Sequence, residues 1–126
     1  MTLYTVTLMD GGYGAHQDPR VIVFSADVAM TQQAADYTLA LADAGTVVEG
    51  TKGTAQIVTV PPNSSIPFPV GTAIEVVQMG VGQITITPGG GVTLRTPATL
   101  TSRAQYSSVS LRKRAADEWV VGGDLT

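Results

Sequence analysis

No cysteine occurs among the 126 residues, which removes disulfide frameworks, thiolate nucleophiles and Cys-based zinc sites together. Histidine is nearly as scarce. His16 is the only one, and it stands far from any Gly-x-Ser-x-Gly turn, so a Ser-His-Asp relay has no plausible base. Charge is thin as well: 13% of the chain, where about 25% is ordinary for a soluble domain. The surface must therefore rest on hydroxyls and amides, or be covered by copies of the chain or by a partner. A net charge of −3 gives a polyanion nothing to be drawn to, and nucleic acid is not expected as a partner. No apolar run approaches the roughly 20 residues that span a bilayer, so no membrane contact is expected. The first dozen residues have no basic stretch leading into an unbroken apolar one, and no signal peptide is expected.

What the chain has in quantity is β-branched and turn-forming residues. Valine, isoleucine and threonine make up roughly a third of it, and such side chains fit a pleated surface better than a helix. With 14 Gly and 7 Pro spread along it, stretches long enough for three helical turns are rare. One segment, 27–36, is compatible with a short helix capped by Asp27, or with a turn. Elsewhere short apolar runs alternate with turn residues, at 3–9, 21–24, 37–41, 46–49, 56–60, 73–78, 83–87, 92–95, 106–112 and 118–121. This pattern predicts an all-β fold, an antiparallel β-sandwich or small barrel of about 8–10 short strands with an extended N-terminal arm.

Turn chemistry adds detail. Gly80-Val81-Gly82 reads as a tight hairpin, and residues 114–117 as the turn of a last hairpin. The proline-rich stretch 61–69 cannot carry a ladder, so it reads as an ordered crossing from one sheet to another. Within strands, Ile84 and Ile86 oppose Gln83, Thr85 and Thr87, while Val109 and Leu111 oppose Ser108, Ser110 and Arg112. One face is apolar and the other hydroxylated.

The first 35 residues hold the only His and three of the four Met. They read as an attachment arm, 1–35, in front of a β domain, 36–126. No internal repeat is visible.

Several segments carry a family resemblance: Tyr37-Thr-Leu-Ala-Leu-Ala-Asp-Ala-Gly45-Thr-Val-Val-Glu49, Ile57-Val-Thr-Val-Pro-Pro-Asn-Ser-Ser65, Phe68-Pro-Val-Gly71, Ile74-Glu-Val-Val-Gln78, Gly80-Val-Gly-Gln-Ile-Thr-Ile86, Gly91-Val-Thr-Leu94, Gln105-Tyr-Ser-Ser-Val-Ser-Leu111 and Asp117-Glu-Trp-Val-Val-Gly-Gly-Asp-Leu125. In this order they resemble a β domain of surface-exposed virion proteins of tailed bacteriophages, among them capsid decoration and head-fibre proteins, tail fibres and minor tail proteins. The resemblance implies a structural protein of the virion, on the outer capsid or the tail, assembled in the host cytoplasm. It implies a homotrimer with no cofactor and no enzymatic activity. A chain this short has room outside the β module for a docking arm but not for a fibre shaft. The expectation is therefore a head-stabilising decoration protein whose partner is the major capsid protein, with a tail-fibre or tail-tip module binding a host glycan as the alternative.

Candidate contact residues follow from that reading. Leu3, Tyr4, Val6, Leu8, Tyr13, Val21, Val23 and Phe24 would meet the capsid or a neighbouring copy by strand addition. Trp119, with Arg112 and Arg114, is a candidate for a glycan or surface contact, although a Trp flanked by Val120 and Val121 also suits a core. Lys113 belongs to the same basic run, which reads as a solvated hairpin end. His16 between Asp10 and Asp18 lacks the spacing of a metal site. The glycines at 11–14 and 89–91 have no following helix and Lys-Ser/Thr to hold a phosphate. Asp117 and Glu118, adjacent in a turn beside Arg114, read as solvated charges rather than as a glycosidase acid pair.

Overall fold

A computed structural model describes the backbone of Leu3–Leu8 and Arg20–Ser25 and the whole of residues 27–126. Leu3–Leu8 (β1) and Arg20–Ser25 (β2) pair antiparallel as a two-stranded sheet of their own, with Tyr4 opposite Phe24 and Val6 opposite Ile22. The remaining strands are Met30–Gln33 (β3), Tyr37–Thr38 (β4), Val47–Gly50 (β5), Gln56–Val60 (β6), Ala73–Gln78 (β7), Ile84–Pro88 (β8), Thr93–Arg95 (β9), Ser108–Ala115 (β10) and Glu118–Gly123 (β11). The protein is β-rich. Leu41–Asp43 makes a single 3₁₀ turn, and there is no α-helix among the described residues.

From β3 to β8 the chain switches sheet at every strand. β3, β5 and β7 fall in a six-stranded sheet of order β3-β5-β7-β10-β11-β9, and β4, β6 and β8 in a three-stranded one. Consecutive members of each sheet are parallel. The chain thus winds three times, each turn laying one strand in each sheet, with Met30, Val47 and Glu75 in register on one side and Tyr37, Val58 and Ile86 on the other. β10 and β11 then close the larger sheet as an antiparallel hairpin on β7, and β9 runs parallel beside β11.

This pairing corrects three expectations. The six-stranded sheet is mixed and the three-stranded sheet parallel, rather than antiparallel: tight turns between neighbouring strands would force antiparallel pairing, but from β3 to β8 each connection crosses to the other sheet. Segment 27–36 is not helical. Its centre is β3, because its carbonyls bond to the next turn of the winding: Val47 N donates to Ala29 O and Thr51 N to Gln33 O, both at 2.9 Å. Buried Gln56 fixes the same stretch, donating from Nε2 to Gln33 O at 2.9 Å and Ala35 O at 2.7 Å. Neutral helix propensity is easily overruled by such tertiary bonds. The six-stranded sheet accordingly begins before residue 36.

Gly80-Val81-Gly82, in turn, is no hairpin. β7 and β8 lie in different sheets, and the two glycines let this crossover lie directly on the previous one. Gly80 N donates to Gly50 O at 2.9 Å and Gly82 N to Lys52 O at 3.1 Å. A methyl on Gly82 would overlap the Thr54 carbonyl.

Other readings match the structure. Residues 61–69 cross between sheets, the β10–β11 hairpin forms, and the alternation predicted at 84–86 and 109–111 holds. Inner faces of the two sheets meet in one apolar cluster that includes Val48, Ile74, Val76, Val109, Leu111 and Val121 from one and Val58, Val60, Ile84 and Ile86 from the other. Burial of that apolar area is what holds the layers together.

Candidate functional site

The outer face of the six-stranded sheet carries a trough of about 660 Å³. Its origin is legible strand by strand. Across the middle of the sheet, register sets Glu75 beside Ser110 and Ser110 beside Gly122, and Ala73 beside Arg112 and Arg112 beside Val120. Ala73, Ser110 and Gly122 are short, so the central strands lie low, while Val28, Val47 and Val120 line the trough with apolar surface. Val28 and Val120 are 56% and 41% exposed. Apolar side chains that line a concavity, rather than stand singly, mark a surface for contact.

Charge frames this trough unevenly. Arg114 Nη1 meets Glu118 Oε1 at 2.7 Å, and Arg95 Nη2 meets Glu118 Oε2 at 3.7 Å, so two guanidinium groups share one carboxylate. Arg112, exposed and lining the trough, belongs to none of the ion pairs among the described residues. It is available to an incoming carboxylate or carbonyl.

Among the described residues, β3 forms the border of this sheet, with a neighbour on one side only. Its outer backbone edge faces away from β5, and exposed Met30, 59% accessible, stands on it. A border strand next to an apolar trough offers both main-chain pairing and side-chain contact.

Of the predicted contact residues, Leu3, Tyr4, Val6 and Leu8 lie in β1, and Val21, Val23 and Phe24 in β2, so the two runs are brought together as one hairpin. Tyr13 and His16 lie outside the described residues. Arg112 and Arg114 reach the surface, as expected. Trp119 does not, and its reading as a glycan contact is corrected: it is 1% exposed, packed edge to face on Phe68 with ring centroids 5.5 Å apart. The cause is the β10–β11 pairing, which turns Trp119 and Val121 inward together.

The same alternation splits the basic run. Arg112 and Arg114 point out, whereas Lys113 is 2% exposed. Its Nζ donates to Asn63 Oδ1 at 2.6 Å and to Phe68 O at 2.7 Å, pinning the 61–69 crossing onto the sheet. Asp117 completes the attachment by accepting the Asn63 backbone N–H at 2.8 Å. A run of three basic residues suggests solvent, and this site was missed. The signal was the period of two, since Val109, Leu111 and Lys113 share a face.

No family model, curated protein or solved structure matches the chain.

Proposed function

We propose that this chain is a surface protein of a tailed-bacteriophage virion: a capsid decoration protein whose N-terminal residues dock on the major capsid protein and whose two-layer β domain, a sandwich, associates into a homotrimer. The observation that carries this reading is the apolar trough on the outer face of the larger sheet, which reaches Val28 just ahead of β3, on a chain with few charges to keep such a face solvated. The resemblance of segments within residues 37–125 to virion surface domains supports the same assignment. Three weak strand or trough contacts, joined in one trimer, would add to a tight hold on neighbouring capsomers. The chemistry asked of the protein is adhesion alone.

The test uses the intact protein. Full-length chain mixed with undecorated heads of its phage should co-sediment in many copies at symmetry-related points, visible by electron microscopy. Absence from heads together with presence at the tail would sink the decoration reading.

A second reading, a tail module that binds host glycan, is favoured by Tyr106. This side chain is 67% exposed, on a residue held at φ 74°, and an aromatic ring presented to solvent in this way can stack on a sugar face. Binding on a glycan array that Tyr106→Ala abolishes would select it.

A further inference from the structure

We propose that the protein forms an isopeptide bond within itself, joining the side chains of Lys113 and Asn63. The inference stands on the buried lysine alone, so it survives or fails independently of any virion role. Lys113 Nζ lies 2.6 Å from Asn63 Oδ1, and its other acceptor is the Phe68 carbonyl at 2.7 Å. Both are neutral. None of the ion pairs among the described residues includes Lys113, so an ammonium here would sit 2% exposed with no carboxylate to offset its lost hydration. Trp119 stands opposite it in register on β11, and the Phe68 ring packs on Trp119. An amine held dry against a carboxamide carbonyl has its reaction partner already in place.

Conversion to an amide removes the difficulty. Attack needs the neutral amine, so the ammonium first passes one proton through solvent to the exposed Asp117 carboxylate, which accepts the backbone N–H of Asn63 and lies beyond ion-pair distance of Nζ. Nζ then bonds to Asn63 Cγ, and the carbonyl becomes a tetrahedral centre. Its original nitrogen takes a proton from Nζ, the old C–N bond breaks, and the released ammonia takes the proton held by Asp117. The products are a secondary amide and an ammonium ion. Lysine ammonium plus carboxamide equals amide plus ammonium, with no oxidant, water or cofactor consumed. The new N–H still donates to Phe68 O, and no buried charge remains.

The bond would tie together residues 50 apart in sequence, bracing the 61–69 crossing against β10 in a chain that has no cysteine to do so. Constraining a loop of that size restricts the unfolded chain as a disulfide does.

Denaturing mass spectrometry of the purified full-length protein, fresh and after prolonged incubation, tests this. The expected mass is below that of the sequence by one ammonia, with a branched peptide linking Asn63 to Lys113 after digestion. Asn63→Ala and Lys113→Arg should each restore the mass of their own sequences, and Asp117→Ala should slow or stop the loss in a protein that still folds. An unaltered mass at all times overturns the proposal. So does an ammonia loss that persists in Lys113→Arg or maps within the Asn63-Ser64 peptide, since cyclisation of that asparagine onto its own backbone also expels ammonia. The mass of the unmutated protein decides the question even where a variant fails to fold.

Discussion

Tyr37 and Asp43 lock the crossover from β4 to β5: the Tyr37 hydroxyl donates to Asp43 Oδ2 at 2.7 Å, and the same oxygen accepts the Ala40 amide at 2.8 Å. Burial, reinforced by the hydrogen bond to this carboxylate and its negative charge, pushes the Tyr37 phenol up to about 12 from 10.0. A raised value means the folded state holds the proton more tightly. The stability it contributes is complete below pH 10 and is lost as pH climbs from 10 towards 12. Tyr37→Phe should cost about 1 kcal/mol at neutral pH and should flatten the alkaline decline. Denaturant melts across that range check both effects.

Arg103 and Asp124 make a two-pronged pair, with Nε to Oδ1 at 2.7 Å and Nη2 to Oδ2 at 2.9 Å, and Ser107 Oγ donates to the second oxygen. Arg103, then Ser107, hold the Asp124 carboxyl below its ordinary 3.8. Here the sign reverses: the contribution is present above pH 3.8 and fades as pH falls through the depressed value. Asp124→Asn should lower the melting temperature slightly at neutral pH and make the acid limb shallower. The exposed pair is sensitive to screening, so the difference should shrink in high salt.

Trp119→Ala should cost about 3–5 kcal/mol, because it empties the centre of the core beside Phe68. Val120→Asp, one residue along but facing the trough, should change stability by no more than about 0.5 kcal/mol and, on the proposed docking role of the trough, should abolish co-sedimentation with heads. Equal damage to stability from the two variants would show that the trough belongs to the core.

Glycine substitutions should separate close approach from conformation. Gly45 has φ 71° with open space where a Cβ would stand, so Gly45→Ala pays only for the left-handed backbone, about 1 kcal/mol. Gly82→Ala meets the Thr54 carbonyl of the preceding crossover and should cost more than about 3 kcal/mol, or prevent folding. Chemical denaturation of the two variants side by side gives the comparison.

Strand positions were legible because each one is written in its own residues. The alternation at Ile84 and Ile86, or at Val109 and Leu111, needs no knowledge of a neighbour. Which strand pairs with which was not. Gly80-Val81-Gly82 has the composition of a hairpin turn, and only the nearness of residues 51–54, remote in sequence, makes it a crossover. β3 shows the same limit, since nothing within 27–36 announces that Val47 and Thr51 will donate to its carbonyls. The winding left no sequence repeat, because its turns differ in length between Met30, Val47 and Glu75. In the site, the outward placing of Arg112 and Arg114 was legible. Trp119 and Lys113 required the rule of alternation to be trusted over residue type.

The position of β10 has a consequence for how the protein comes into being. It occupies the middle of the larger sheet, between β7 and β11, yet it follows β3 to β9 along the chain. Until β10 is in place, β7 lacks its partner on that side, and the inner faces of β5 and β7 lack the rest of their layer. The larger sheet is therefore completed by pairing between strands distant in sequence, the slow kind of contact to form.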